Sequence, residues 1–158
     1  MKNADKILAY YQFINQFGKE NGYELKVIEP GKIEYTFTIE EKHLATPVAA
    51  HGGVLAALAD ALIGVAALSA VAEELKLVST IEFKINYLKP AFLNDKIVGK
   101  ALVLNKGNRI IAAEAEIFNA KTNELLAKAI GTLNAYPIEK SPFYNDFLKF
   151  TETKPSTL

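Results

Sequence analysis

The chain has 158 residues, 50% of them apolar, with 18 basic and 18 acidic side chains and a formal net charge of zero. That length suits a single domain with a sizeable core, the apolar share excludes a disordered chain, and the charge balance gives no footprint for nucleic acid or an anionic membrane. Cysteine is absent and the only histidines are His43 and His51, which excludes disulfides, thiolate zinc sites and cysteine nucleophiles and argues against a histidine-built metal site.

The N-terminus is polar and charged from Lys2 onward and has no signal-peptide apolar region, so a cytoplasmic location is expected. Residues 4–17 read as an amphipathic helix, with Ile7, Leu8, Tyr11, Phe13, Ile14 and Phe17 mostly on one side. Gly18 and the Asn21-Gly22 pair are expected to stop it. Glu24 to Val27 is a short strand, and Pro30-Gly31 a turn. From Lys32 to Ile39 the pattern alternates: Ile33, Tyr35, Phe37 and Ile39 face one way, Lys32, Glu34, Thr36 and Thr38 the other. This predicts a half-buried antiparallel strand.

The loop Glu40 to Ala50 leads into His51-Gly52-Gly53 and an apolar run to Ala72, whose one ionisable residue is Asp60. The run is long enough to cross a bilayer. Against that, Asp60 would sit near the membrane centre at about 2.5–3.5 kcal/mol, and alanine compensates little. No aromatic belt flanks the run, so it is read as the central core helix of a globular domain, apolar and buried all round. Leu77 to Leu88 is then a long strand closed by Lys89-Pro90, and Asn94-Asp95 a turn. Ile97 to Leu104 and Ile110 to Phe118 are strands joined by the hairpin signal Asn105 to Asn108. Leu125 to Tyr136 is the last strand, and the final 20 or so residues read as an appended segment and loose tail. The order implies an α+β fold, one domain over 1–158 with its core in about 23–136: an antiparallel sheet curled around a long helix, the hotdog arrangement.

A carboxylate in so apolar a helix is costly unless paired, hydrogen-bonded or working. The first turn of a helix offers unpaired N–H groups at the positive end of the dipole. Glycine lets a ligand oxygen approach those donors, which can polarise a carbonyl. The alternative for Gly52 and Gly53 is a sharp turn against a neighbour. Asp60 lies about 12 Å further along the helix axis, too far for the roughly 3 Å that chemistry needs. A two-fold partner's antiparallel helix would close the gap, so a site built this way belongs to a dimer interface. Otherwise Asp60 pairs with a buried hydroxyl or lysine and fixes register. His51 is as well explained by capping and packing as by catalysis. No nucleophile elbow, P-loop or dinucleotide fingerprint occurs.

His51-Gly52-Gly53, Asp60 and the strand Thr80 to Ala91 together resemble the hotdog-fold acyl-CoA thioesterases of the phenylacetate-degradation (PaaI-like) group. Pro30-Gly31-Lys32 and Glu40-Glu41-Lys42-His43 fit the same group, and the likeness covers roughly residues 25 to 135. The resemblance implies hydrolysis of an acyl-CoA thioester without metal, cofactor or covalent serine. Asp60 would activate water or attack the carbonyl carbon. The amide of Gly52, with Gly53 and His51 beside it, would polarise the thioester oxygen from the other subunit of a homodimer or dimer of dimers. Thr80 would orient water or the carboxylate, and Lys106, Gly107, Asn108, Arg109 and Asn134 would meet the CoA nucleotide. For the two cations a solvated turn is the plain alternative. One departure stands out: the group's asparagine after the histidine matching His43 is here Ala45, with Thr46 or Asn86 as conceivable substitutes. Two further readings therefore stay open, a non-catalytic acyl-CoA-binding hotdog protein and a hydroxyacyl-thioester dehydratase.

Overall fold

The computed structural model describes residues 2–153. Its elements are α1 (Asn3–Ile14), α2 (Gln16–Glu20), β1 (Glu24–Glu29), β2 (Lys32–Thr38), α3 (Gly52–Val71), β3 (Lys76–Tyr87), β4 (Lys96–Lys106), β5 (Ile110–Asn119), β6 (Leu125–Pro137) and α4 (Tyr144–Thr153). The strands form one antiparallel sheet in the order β1-β2-β4-β5-β6-β3. It curls around α3, the hotdog arrangement that the sequence implies.

Alternation decides what each strand gives to the core. β2 buries Ile33, Tyr35 and Phe37, and β5 buries Ile111, Ala113, Ala115 and Ile117. Small residues on β4, β5 and β6 let the larger side chains of α3 come close. A Cβ added at Gly99 would lie 2.4 Å from Leu62 Cδ1, and one at Gly131 would lie 2.5 Å from Ile63 Cδ1. Both glycines are slots for the helix. Truncating Leu62, which is fully enclosed, to Ala would cost about 2–5 kcal/mol, against a total stability of about 5–15 kcal/mol. At the far end of α3, Ser69 Oγ accepts from the Gly31 N–H at 2.9 Å and donates to the Ala66 carbonyl at 2.8 Å. Gly31 has φ +85°, so the β1–β2 turn needs glycine there and is pinned to the helix.

By length and composition α3 could cross a membrane. In the fold it is the core helix, with Leu58, Ala59, Leu62, Ile63, Ala66 and Ala67 fully covered. It is not buried all round, however. Ala56, Ala57, Asp60, Ala61 and Gly64 remain half-exposed, because this face turns away from the sheet.

The ends of the chain differ most from the sequence reading. The helix over 4–17 is two helices, because Asn15 breaks it and accepts the Gly18 N–H at 3.0 Å as the cap of α2. Gly18 thus lies inside a helix, and Gly22, at φ +68°, makes the stop. Only Ile7 and Tyr10 of α1 are deeply buried; Phe13, Ile14 and Phe17 stay exposed at 53%, 42% and 57%. The expected loose tail is ordered through Thr153. Phe147 of α4 is buried, its ring 5.5 Å from that of Tyr10. The rest of that tail, 154–158, lies outside the described residues.

Candidate functional site

α3 opens with His51 in an extended conformation, its Nδ1 accepting the Gly53 N–H at 2.8 Å. The His51 N–H itself donates to the His43 carbonyl at 2.8 Å. The two glycines then separate. A Cβ at Gly53 would lie 2.9 Å from His51 Nδ1, so glycine is required there to admit the capping ring. A Cβ at Gly52 would meet only the Tyr87 ring, at an ordinary 3.5 Å. Gly52 is exposed, and among the described residues no protein group accepts its N–H. That leaves one first-turn amide free for a ligand oxygen. Ala50, Leu55, Tyr87 and Lys89 help line a hollow of about 310 Å³ beside it.

Asp60 sits over a different cavity. Thr80 Oγ1 donates to Asp60 Oδ1 at 2.8 Å. A bulge makes this contact: pairing with β6 shifts between Thr80 and Glu82, leaving Ile81 as the extra residue. Before it Val78 points inward, and after it Phe83 and Ile85 do, so the bulge sets Thr80 apart from the later phase of the strand. The carboxylate is half-buried and hydrogen-bonded, which removes much of the desolvation cost that full burial would impose. Its cavity is about 240 Å³ and includes Ile7, Tyr11, Gly64 and Val65. Tyr11 accepts from Asn15 Nδ2 at 3.1 Å and from the Tyr35 hydroxyl at 3.5 Å. Burial, with the Asp60 charge adding to it, pushes the Tyr11 phenol above its usual range, and burial raises Tyr35 as well. Both phenols are neutral at pH 7.

The basic hairpin lies at the other end of α3 from Gly52. Lys106 is ion-paired with Glu74, which also meets Lys76 at 2.7 Å. Lys106 first and Lys76 second hold the Glu74 carboxyl below the usual range. Lys76 donates to Asn108 Oδ1 at 3.0 Å, and the Gly107 N–H closes the turn on the Ile110 carbonyl at 2.9 Å. The Arg109 carbonyl accepts from the Ala135 N–H at 2.6 Å. The neighbouring Asn134 lies opposite Ser79 and Ile110 in the sheet. Lys106 therefore already has an internal counter-charge.

His43 is buried, its Nδ1 accepting the Glu40 N–H at 2.9 Å and its Nε2 lying 2.9 Å from Asn21 Oδ1. It pins the loop. Ala45 is exposed, and Thr46 Oγ1 is engaged by the Ala49 N–H at 2.9 Å. Asn86 is an exposed β3 residue paired with Lys128. Sequence reasoning missed Tyr11, Gly64 and Tyr87 as site neighbours. The Ile7-Tyr11 spacing, which sets both on one helical face, is the one signal that pointed to any of them.

An antiparallel sheet wrapped on one helix, with an acid on that helix and a free amide at its start, defines a hotdog protein of the thioesterase kind. The chain belongs to the thioesterase superfamily, whose family model matches residues 49–126. It is 30% identical over 99 residues to acyl-coenzyme A thioesterase 13 from Homo sapiens, covering 63% of this chain and 69% of that protein. Alignments with the curated relatives span 66% to 69% of their lengths. A hypothetical thioesterase from Streptococcus pneumoniae, solved with coenzyme A, superposes with a TM-score of 0.72 at 25% identity, covering 82% of this chain and 97% of that one. The E. coli PaaI protein from the phenylacetic acid degradation operon shares the fold at a TM-score of 0.75 and 22% identity, covering 85% and 96%.

Proposed function

We propose that this chain hydrolyses acyl-CoA thioesters to free acid and CoA, as a cytoplasmic homodimer or dimer of dimers with two-fold-related sites. The observation that carries the reading is the Asp60 carboxylate, held by Thr80, together with the free Gly52 amide about 12 Å away along the same helix. One chain cannot bring them to one carbonyl, whereas antiparallel helices from two copies can. The Gly52 N–H of one copy would polarise the thioester oxygen, and Asp60 of the other would act on the carbon. As a base, Asp60 takes a proton from the attacking water, and the collapsing tetrahedral adduct expels the CoA thiolate. As a nucleophile, it forms an acyl anhydride with loss of the thiolate, and water then cleaves that anhydride. Thr80 orients the carboxylate in either route. His51 and Gly53 build the helix start, and Lys106 to Arg109 with Asn134 would flank the CoA nucleotide. The coenzyme A in the streptococcal thioesterase supports that choice of substrate.

The test is thiol release over short, long and aromatic acyl-CoAs. Asp60→Ala should abolish turnover while the dimer survives; unchanged hydrolysis rules the mechanism out. A second reading is favoured by one observation: exposed Ala45 brings no polar side chain to the position where the group has asparagine. A missing donor of this kind is worth about 10²–10³ in rate. Tight acyl-CoA binding without thiol release would make this chain a non-catalytic binder.

A further inference from the structure

For Asp60 of one copy to meet Gly52 of another, a two-fold axis must pass midway between the two positions along α3. On β3 those positions adjoin Thr80, which holds Asp60, and Tyr87, whose ring lies against Gly52. Midway between Thr80 and Tyr87 are Phe83 and Lys84. Among the described residues β3 pairs with β6 alone, so its other side is free. When two copies of one edge strand pair antiparallel about an axis, one residue faces its own counterpart, and residues opposite each other share a face. The axis therefore runs past either Phe83 or Lys84.

The charges decide between them. Phe83 and Ile85 pack toward the core, whereas Glu82 and Lys84 are exposed on the outer face. Across β6 these two face Thr132 and Ile130, which offer no charge. Among the described residues neither makes an ion pair, while Lys128 on the same face is engaged by both Glu114 and Glu116. With Phe83 on the axis, Glu82 of each copy faces Lys84 of the other, and the pair forms twice. With Lys84 on the axis, two lysines face each other. A slip the other way, with Glu82 on the axis, sets two glutamates opposite. Opposite charges directly across a strand pair stabilise it, and like charges destabilise it. An edge protected merely against pairing needs charge but not this order, and lysines alone would serve. Glu82-Phe83-Lys84 admits one self-pairing and penalises the slip on either side of it.

We propose that a second copy of this chain pairs with β3 in a single register, Phe83 facing its own counterpart, set by ion pairs between Glu82 of each copy and Lys84 of the other. The position of the axis rests on the shared-site reading; the order of the charges does not.

The experiment uses the full chain, with the dimer dissociation constant measured by sedimentation equilibrium at low salt, where such pairs are screened least. Glu82→Lys and Lys84→Glu should each raise Kd about tenfold or more, since either one turns two attractive pairs into two repulsive ones. The double reversal, Glu82→Lys with Lys84→Glu, should bring Kd back to that of the unaltered chain. Cross-linking reads the register directly, and because the chain has no cysteine, introduced ones report alone. Glu82→Cys and Lys84→Cys chains, co-expressed and oxidised, should form a disulfide-linked heterodimer. Neither should cross-link to itself, because diagonal neighbours lie about 7–8 Å apart and a disulfide needs its Cα atoms within about 7 Å. Self-cross-linking of Lys84→Cys or of Glu82→Cys, or single reversals that leave Kd unchanged, would overturn the register and leave the shared site standing. A dimer with the expected cross-link that releases no thiol from any acyl-CoA upholds the register and sinks the thioesterase reading. If the unaltered chain is a monomer, both fail.

Discussion

The sheet has two edges, and they are finished differently. β1 is short, carries Glu24, Lys26 and Glu29, and bends at a register shift between Val27 and Glu29. Short length, charge and a bulge are the usual protections of an edge strand, and here they shield even the partly exposed Val27 and Ile28. β3 is twelve residues long and shows Ile81 at 56% and Tyr87 at 51% exposure, with Leu88 at 55% just beyond it. Such an edge invites another strand. The site groups gather on this side: Thr80 is on β3, Asp60 faces it, and the Tyr87 ring lies against Gly52. One edge is closed by its own sequence, and the other is left open, as the proposed shared site requires.

The largest effect should come from breaking that second edge. Ile81→Lys should give a folded monomer with turnover reduced about 10³-fold or more, the loss of a whole catalytic arrangement. Val27→Lys on β1 should change neither mass nor rate. Sedimentation and thiol release check both, and a fully active Ile81→Lys monomer would end the shared-site mechanism. Next, Thr80→Val removes the hydroxyl that holds Asp60 and should lower kcat about 10²-fold with little change in KM. Ser79→Ala beside it should leave kcat where it was.

Smaller effects separate scaffold from chemistry on the same side of the sheet. His51→Ala deletes the cap on Gly53 and should cost about 1 kcal/mol, lowering Tm by about 2–4 °C. Gly52→Ala should depress kcat with a smaller change in Tm, because its added Cβ meets only ordinary contacts. The smallest is a pH effect. Burial first, then Lys42, holds the His43 pKa below its ordinary 6.5, against an opposing pull from Glu40. The unfolded chain therefore takes up this proton before the folded one does. The stabilisation is complete above about pH 6.5 and declines as pH falls toward the lower folded-state value. Melts at pH 7.5 and 5.5 should show the drop, and His43→Gln should flatten part of it.

How much of this was legible follows from particular residues. The alternation in β2 and the nearly uncharged α3 disclosed a sheet wrapped on a helix, because burial on one face or all round leaves a period in the sequence. Asp60 stood out for the same reason. The strand ends were displaced by only a residue or two. The N-terminal segment was harder: Phe13, Ile14 and Phe17 have core-like identities and yet stay exposed, with Phe13 stacking on Phe150 and Phe17 on Tyr23 outside the main core. The C-terminal segment looked loose because its partner, Tyr10, lies at the other end of the chain.

The sequence by itself determined the fold class, the central helix and the acid within it, all properties written in local spacing. Only the tertiary structure decided that Gly53 serves the cap while Gly52 is free, that a bulge at Ile81 brings Thr80 to Asp60, and that Gly64 borders open space. The last two of those outcomes depend on register and on contacts between distant segments. No window of neighbouring residues contains them.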